Sequence, residues 1–384
     1  MMTALAQALG MAFAMGWEIL WPLILGFALS AAVQAVASHR EMSRLLPDDS
    51  PRSIAIALGL GAASSSCSYA AVALARSLFR KGADFTAAMA FELASTNLVL
   101  ELSVILIVLM GWQFTVAELA GGPIMVAFLV VLFRLFLPPD LVREAREQAE
   151  RGIAGRMEGH AAMDMSVTEG GSLWQRIASP QGLTAISHYF VMDWAAVWLD
   201  IVGGLLIAGA LAAWVPNDFW QSFFLVDHPV FAKLWGPLVG PLVAIISFVC
   251  SVGNIPLAAV LWSGGISFGG VIAFIFADLI VLPILDIYRK YYGWRIAAFL
   301  LVTFYAAMAG AALIVELAFG ALGLVPQARG ARILEASVTW NYTTWLNILF
   351  LLLAVLLVRR FVKTGGLDML RMMNTQPHPD SPGG

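Results

Sequence analysis

Apolar runs of about 20 residues, the length that crosses a hydrocarbon core of roughly 30 Å, recur along this chain between short polar or basic turns. The pattern predicts a helix over Met11–Val36, carrying Trp17, Trp21 and an embedded Glu18. A run from Ser53 to Leu78 follows, interrupted by Ser64-Ser65-Ser66-Cys67-Ser68, and then long runs over Ala83–Trp112 and Phe114–Leu137, the last closed by Pro138-Pro139. Residues 140–187 are the one polar stretch of any length. Their first part, Asp140 to Arg156, is rich in Arg, Glu and Ala and predicts an exposed helix, while the remainder is expected to be mobile. A second half begins near Tyr189 and runs through Trp214, with a polar, aromatic loop from Pro216 to Trp235. The run Pro237–Trp262 is interrupted by Cys250-Ser251-Val252-Gly253-Asn254. Runs over Phe268–Tyr288 and Ala297–Leu322, a loop with Arg329 and Arg332, and a last helix Trp345–Val362 complete it. The domain expectation is a first membrane unit at 1–137, a linker at 138–188, a second unit at 189–323, a loop and C-terminal helix at 324–364, and a polar, disordered tail at 365–384.

Composition narrows the class. Of 384 residues 60% are hydrophobic and only 12% charged, with a mean hydropathy of +0.83. A soluble core of this size would need far more charged surface, so the chain reads as an all-α polytopic membrane protein whose partner is the lipid bilayer. Basic residues are scattered at run ends rather than gathered in a patch, which argues against nucleic acid. Two distant cysteines make neither a disulfide framework nor a zinc pattern. The first thirty residues have no basic n-region and read as a retained helix, not a cleaved signal. No nucleophile elbow, P-loop or H-E-x-x-H is present, so no enzyme and no cofactor is expected.

The two halves repeat. Shifted by 183 positions, Cys67–Ser95 matches Cys250–Asp278 at ten of 29 positions, including the Cys-Ser pair, Gly82/Gly265 and Phe85/Phe268. Trp17-x3-Trp21-x4-Gly26 also recurs as Trp194-x3-Trp198-x4-Gly203. Duplicated units are the common build of secondary transporters. If both interrupted runs are re-entrant hairpins, Arg40, Arg44, Arg52, Arg76, Arg80, Lys81, the linker, Arg289, Lys290, Arg295 and the Arg359-Arg360 cluster all share one side. Lys233, Arg329 and Arg332 fall on the other. This satisfies the positive-inside tendency far better than full spans do. It makes the halves inverted repeats, each with a broken Cys-Ser hairpin, and it places the linker and C-terminus in the cytoplasm.

Helices that restart after the two interruptions present N–H groups and partial positive charge near the midplane, with Ser68 and Asn254 as candidate caps. That field suits an anion or a thiolate, and a thiolate binds soft metals. Substrate-binding candidates are Ser66, Cys67, Ser68, Asn97, Cys250, Ser251 and Asn254, with Cys67 and Cys250 as a possible metal pair. Acidic side chains inside spans are costly and mark function by default. Glu92, Asp278, Glu101 and Asp286 are therefore candidates for proton coupling, and Glu18, Asp193 and Asp200 are weaker ones. In the linker, Met157, His160, Met163 and Met165 have soft-metal spacing. Alternatives remain open: both cysteines as packing residues, a small sulfur-containing anion as substrate, or a non-transporting accessory subunit of a metal-handling complex.

At Gly61-Ala-Ala-Ser-Ser-Ser-Cys-Ser-Tyr-Ala-Ala, Leu78-Phe-Arg-Lys-Gly, Ala94-Ser-Thr-Asn-Leu-Val and Cys250-Ser-Val-Gly-Asn-Ile-Pro-Leu-Ala, the chain resembles a bacterial family of predicted permeases. That family includes the ArsP-type exporters of trivalent methylarsenicals, and the likeness runs from about residue 10 to 325. It implies a multi-pass protein of the bacterial inner membrane that exports a soft metal, metalloid or organoarsenical, a small molecule or ion. Many members carry a Pro-Cys-Ser-Cys-Gly type motif at the first interruption. Here Ser68 and Tyr69 follow Cys67, so a local dithiol is absent and Cys67 would have to pair with Cys250 across the hairpins.

Overall fold

The computed structural model describes residues 2–36, 45–64, 68–150, 165, 167, 172–247, 251–329, 340 and 342–369, all helical or in connecting turns. In chain order the helices are α1 (Met2–Gln34), α2 (Pro51–Ser64), α3 (Ser68–Arg80), α4 (Phe85–Asn97), α5 (Leu100–Leu109), α6 (Trp112–Phe136), α7 (Pro139–Glu150) and α8 (Leu173–Ala178). They continue with α9 (Pro180–Trp214), α10 (Asn217–Phe223), α11 (Pro229–Ser247), α12 (Ser251–Ser263), α13 (Phe268–Phe276), α14 (Leu282–Tyr292), α15 (Trp294–Ala321) and α16 (Tyr342–Lys363). Six segments among the described residues are long and apolar enough to cross a membrane, or seven with the bent pair inside α1. α9 starts at Pro180 rather than near Tyr189, because Ser179 accepts a cap bond from Gly182 N at 2.9 Å and proline suits the first helical turn.

The order α2-α3-α4-α5-α6 recurs as α11-α12-α13-α14-α15. Gly82 and Gly265 close the turn after the second helix of each set with φ of 104° and 106°, and Gly111 and Gly293 precede the last with φ of 101° and 91°. These are conformations that only glycine takes without strain. Asp84 caps α4 through Ala87 N, and Ser267 caps α13 through Gly270 N at the matching positions. The two tryptophan-bearing helices, α1 and α9, pack antiparallel. Phe27 stacks edge-on to Trp194 at 5.2 Å, and Gly209 lies against Ala8 and Ala12.

Two runs that periodicity predicts as continuous spans are broken. In Phe85–Leu109, Ser95 Oγ, Thr96 Oγ1 and Asn97 Nδ2 donate to the carbonyls of Glu92, Leu93 and Leu93, competing with the helical ladder. Val99 is then extended and α5 restarts at Leu100. In Phe268–Tyr292, a 3-10 turn at Ala277–Leu279 ends α13, and α14 restarts with Pro283 in its first turn. These broken segments form the centre of the bundle: 72% and 83% of their most apolar windows are buried, against 11% for α16.

Polar contacts gather many helix ends at one end of the bundle. Asp84 N donates to Leu46 O at 2.9 Å, which sets the approach to α2 beside the exit from α3. Arg134, at the end of α6, pairs with Asp49 at 2.7 Å. Nearby, Ser50 and Ser53 hydroxyl bonds hold the Asp48 carboxyl below its ordinary range at the start of α2. The helix α7 clasps this end. Arg146 donates to Phe79 O and Ala83 O, Arg76 donates back to Ala149 O at 2.7 Å while stacking on Tyr291, and Glu144 pairs with Arg295. At the opposite end, Val226 before α11 lies against Gly265 after α12, and Arg329 stacks on Trp262 and donates to Ile266 O.

Candidate functional site

The site forms where the start of α3 meets the 3-10 turn after α13. Ser68, fully buried at the first position of α3, donates through Oγ to Asp278 Oδ2 at 2.6 Å, a bond between residues 210 apart in sequence. One helix away, Glu92 on α4 accepts a hydrogen bond from the Tyr288 hydroxyl on α14. Asp278 lies within electrostatic reach of Glu92 and of Glu118 on α6. All three carboxyls have no exposed surface. Burying an ionised carboxylate costs several kcal/mol unless it is compensated, so this centre is an expensive feature and not a passive consequence of packing.

Two further buried amides have unused hydrogen-bonding capacity among the described residues. Asn97 Nδ2 donates to Leu93 O and Thr96 Oγ1, while its Oδ1 has no partner among the described residues. Asn254, in the first turn of α12, accepts from Ser247 Oγ at 3.5 Å, and its Nδ2 likewise has none. Asn254 therefore faces back toward the end of α11 and is not a simple cap.

Not every expected residue joins this centre. Asp286 lies at the exposed end of α14 in ion pairs with Arg289 at 2.8 Å and Lys290 at 3.0 Å. It lies on the exposed face of α14, whereas Ile284, Tyr288 and Tyr292 form the buried face, which is why Tyr288 reaches the site and Asp286 does not. Glu101 is buried in the first turn of α5, where the helix N-terminus favours a carboxylate, and its Cβ packs against Gly26 of α1. Asp193 accepts from Gln34 at 3.2 Å, away from the three carboxyls. Ser66, Cys67 and Cys250 lie outside the described residues, as do the side chains of Ser251, Glu18 and Asp200 and, in the linker, Met157, His160 and Met163. Met165 N donates to the Tyr189 hydroxyl at 2.9 Å. Among the described residues no three His, Cys, Asp or Glu side chains are grouped closely enough to hold a metal ion.

Sequence reasoning passed over Glu118 and Tyr288. Glu118 carried the same signal as the others, an acid inside an apolar run, but it has no acidic counterpart in the second half. Tyr288 reads from sequence as the end of a span.

An all-helical bundle of membrane-crossing segments, with two broken helices enclosing buried acids at its centre, is the architecture of a multi-pass membrane transporter. The chain belongs to the ArsP_1 family of predicted permeases, whose family model matches residues 4–317. It is 65% identical over 333 residues to a Mycobacterium tuberculosis (strain ATCC 25618 / H37Rv) protein named as a permease, Rv2963, covering 87% of this chain and 82% of that one. No solved structure matches the chain.

Proposed function

We propose that the protein is a secondary-active permease of the bacterial inner membrane that exports a soft metal, metalloid or organoarsenical by proton-coupled alternating access. The observation that carries this reading is the buried Ser68–Asp278 bond, which joins the residue directly after Cys67 to the broken helix of the other half. On this reading the two interrupted runs are re-entrant hairpins of inverted repeats. The pairing of Asp84 with Leu46 and the contact of Gly265 with Val226 support it, because each hairpin's entrance and exit lie together. Substrate binds between the hairpin tips, against Cys67, Ser66, Ser68, Asn97, Cys250, Ser251 and Asn254, and Glu92 or Asp278 carries the coupled proton. The antiparallel packing of α1 on α9 favours the inversion. An anionic substrate is disfavoured, since the N-terminus of α3 already faces the Asp278 carboxylate and further acids stand beside it. An accessory subunit would have no use for such buried acids.

Methylarsenite efflux into everted membrane vesicles tests the reading. Wild-type vesicles are expected to accumulate methylarsenite when a proton gradient is applied, and replacing both cysteines by serine is expected to abolish this accumulation. Undiminished accumulation in the double variant would rule out thiol-based binding.

A further inference from the structure

Glu118 is buried on α6 without a single hydrogen bond to either carboxyl oxygen among the described residues. The helices packed against α6 bring Glu92 on α4, Glu101 on α5 and Asp278 in the turn after α13. From α15 come Glu316, which accepts from Gly269 N at 2.5 Å, and Arg295, which is bound to Glu144 at 2.7 Å. Arg134, the one basic residue of α6 itself, pairs with Asp49 at the far end of the helix. The charge that bears on Glu118 is the Asp278 carboxylate, a like charge. Its two sister acids differ. A hydroxyl donates to each, Ser68 to Asp278 and Tyr288 to Glu92, and such donors stabilise the ionised form. Nothing comparable serves Glu118, so a carboxylate there would go without the compensation that buried charge requires.

We propose that Glu118 is a second proton carrier of this permease. It holds a proton while Asp278 is ionised and the substrate site is empty, and it gives that proton up to water on the cytoplasmic side, leaving a carboxylate, when cargo binds beside Asp278. The inference rests on the proton-coupled reading above and adds a stoichiometry to it. One proton travels on the Glu92–Asp278 pair and one on Glu118, so cargo is admitted as a neutral or positively charged species and anions are refused.

Infrared difference spectroscopy of the purified full chain in lipid reads the C=O stretch of a protonated carboxyl directly. At neutral pH the wild type is expected to show a band that Glu118→Gln lacks and that Glu118→Asp restores at a shifted position. Spectra in which the wild type and Glu118→Gln have the same carboxyl bands would overturn the proposal. Glu118→Asp compared with wild type gives the same decision if the amide variant does not fold. In everted vesicles supplied with methylarsenite, the order of the uptake rate in proton concentration is expected to fall from about two to about one in Glu118→Gln, and an unchanged order would also overturn it. If wild-type vesicles move no methylarsenite, the substrate reading fails while the infrared bands still decide the state of Glu118.

Discussion

Asp278 shows how much one side chain can carry in a dry protein centre. Its carboxylate receives the Ser68 hydroxyl and lies near two other acids, so charge and shape can be separated by substitution. Asp278→Asn keeps the shape and removes the charge. It is expected to fold, with thermal unfolding in detergent close to wild type, and to lose proton-driven methylarsenite transport by at least about tenfold, a change of about 1.4 kcal/mol in the coupling step. Ser68→Ala leaves a buried acceptor short of one donor and is expected to cost about 1–3 kcal/mol of stability, read as a lower unfolding temperature. Most of the acids were legible from sequence, because an acid in an apolar run is conspicuous. Their ranking was not legible, because it depends on which face of each helix is packed against its neighbours. Asp286 left the site for that reason, and Glu118 entered it.

Helix breaks and close approaches set how these elements meet. A Cβ added at Gly61 would lie 2.5 Å from Phe91 O and 2.7 Å from Ala94 Cβ, so α2 can press on α4 only because this position has no side chain. Gly61→Leu is expected to destabilise the protein by about 1–3 kcal/mol. Gly59→Ala, two residues away in open space, should be neutral or stabilising by up to about 1 kcal/mol, and unfolding curves of the two variants make the comparison. A different device holds α16. Asn347 inserts its amide into the ladder of α1, accepting from Trp21 N at 2.9 Å and donating to Trp17 O at 2.8 Å. Such insertion is a recognised cause of helix bending, and Asn347→Leu is expected to free α16 from α1. Hydrogen exchange across residues 342–363 should rise in that variant while exchange in α4 stays unchanged. The local rules behind the broken helices were present in Ser95-Thr96-Asn97 and Pro283. Hydropathy concealed them, because both runs stay apolar through the break.

For the molecule as a whole, the decisive question is which helix ends share a side of the membrane. With Cys67 and Cys250 replaced by serine, single cysteines at Arg52 and Lys81 are expected to react with an impermeant thiol reagent from the same side, and one at Lys233 from the other. Labelling of the Arg52 and Lys81 positions from opposite sides would show that Pro51–Arg80 crosses the membrane and would end the hairpin reading. The bundle's membrane-crossing character, its helical class and the matching turn glycines and caps of its two halves were already written in the chain, because apolar run length, turn glycines and caps are local properties of the sequence. The start of α9 was hidden for a related reason: Ser179 and Pro180 begin a helix that composition alone does not announce. What only the tertiary structure decided is the meeting of Ser68 with Asp278 and of Tyr288 with Glu92, contacts across 210 and 196 residues. Helical periodicity shows which face of a helix is apolar. Which polar groups then meet inside is determined by the packing of all the helices at once, where every buried donor and acid must find a partner or pay for its absence.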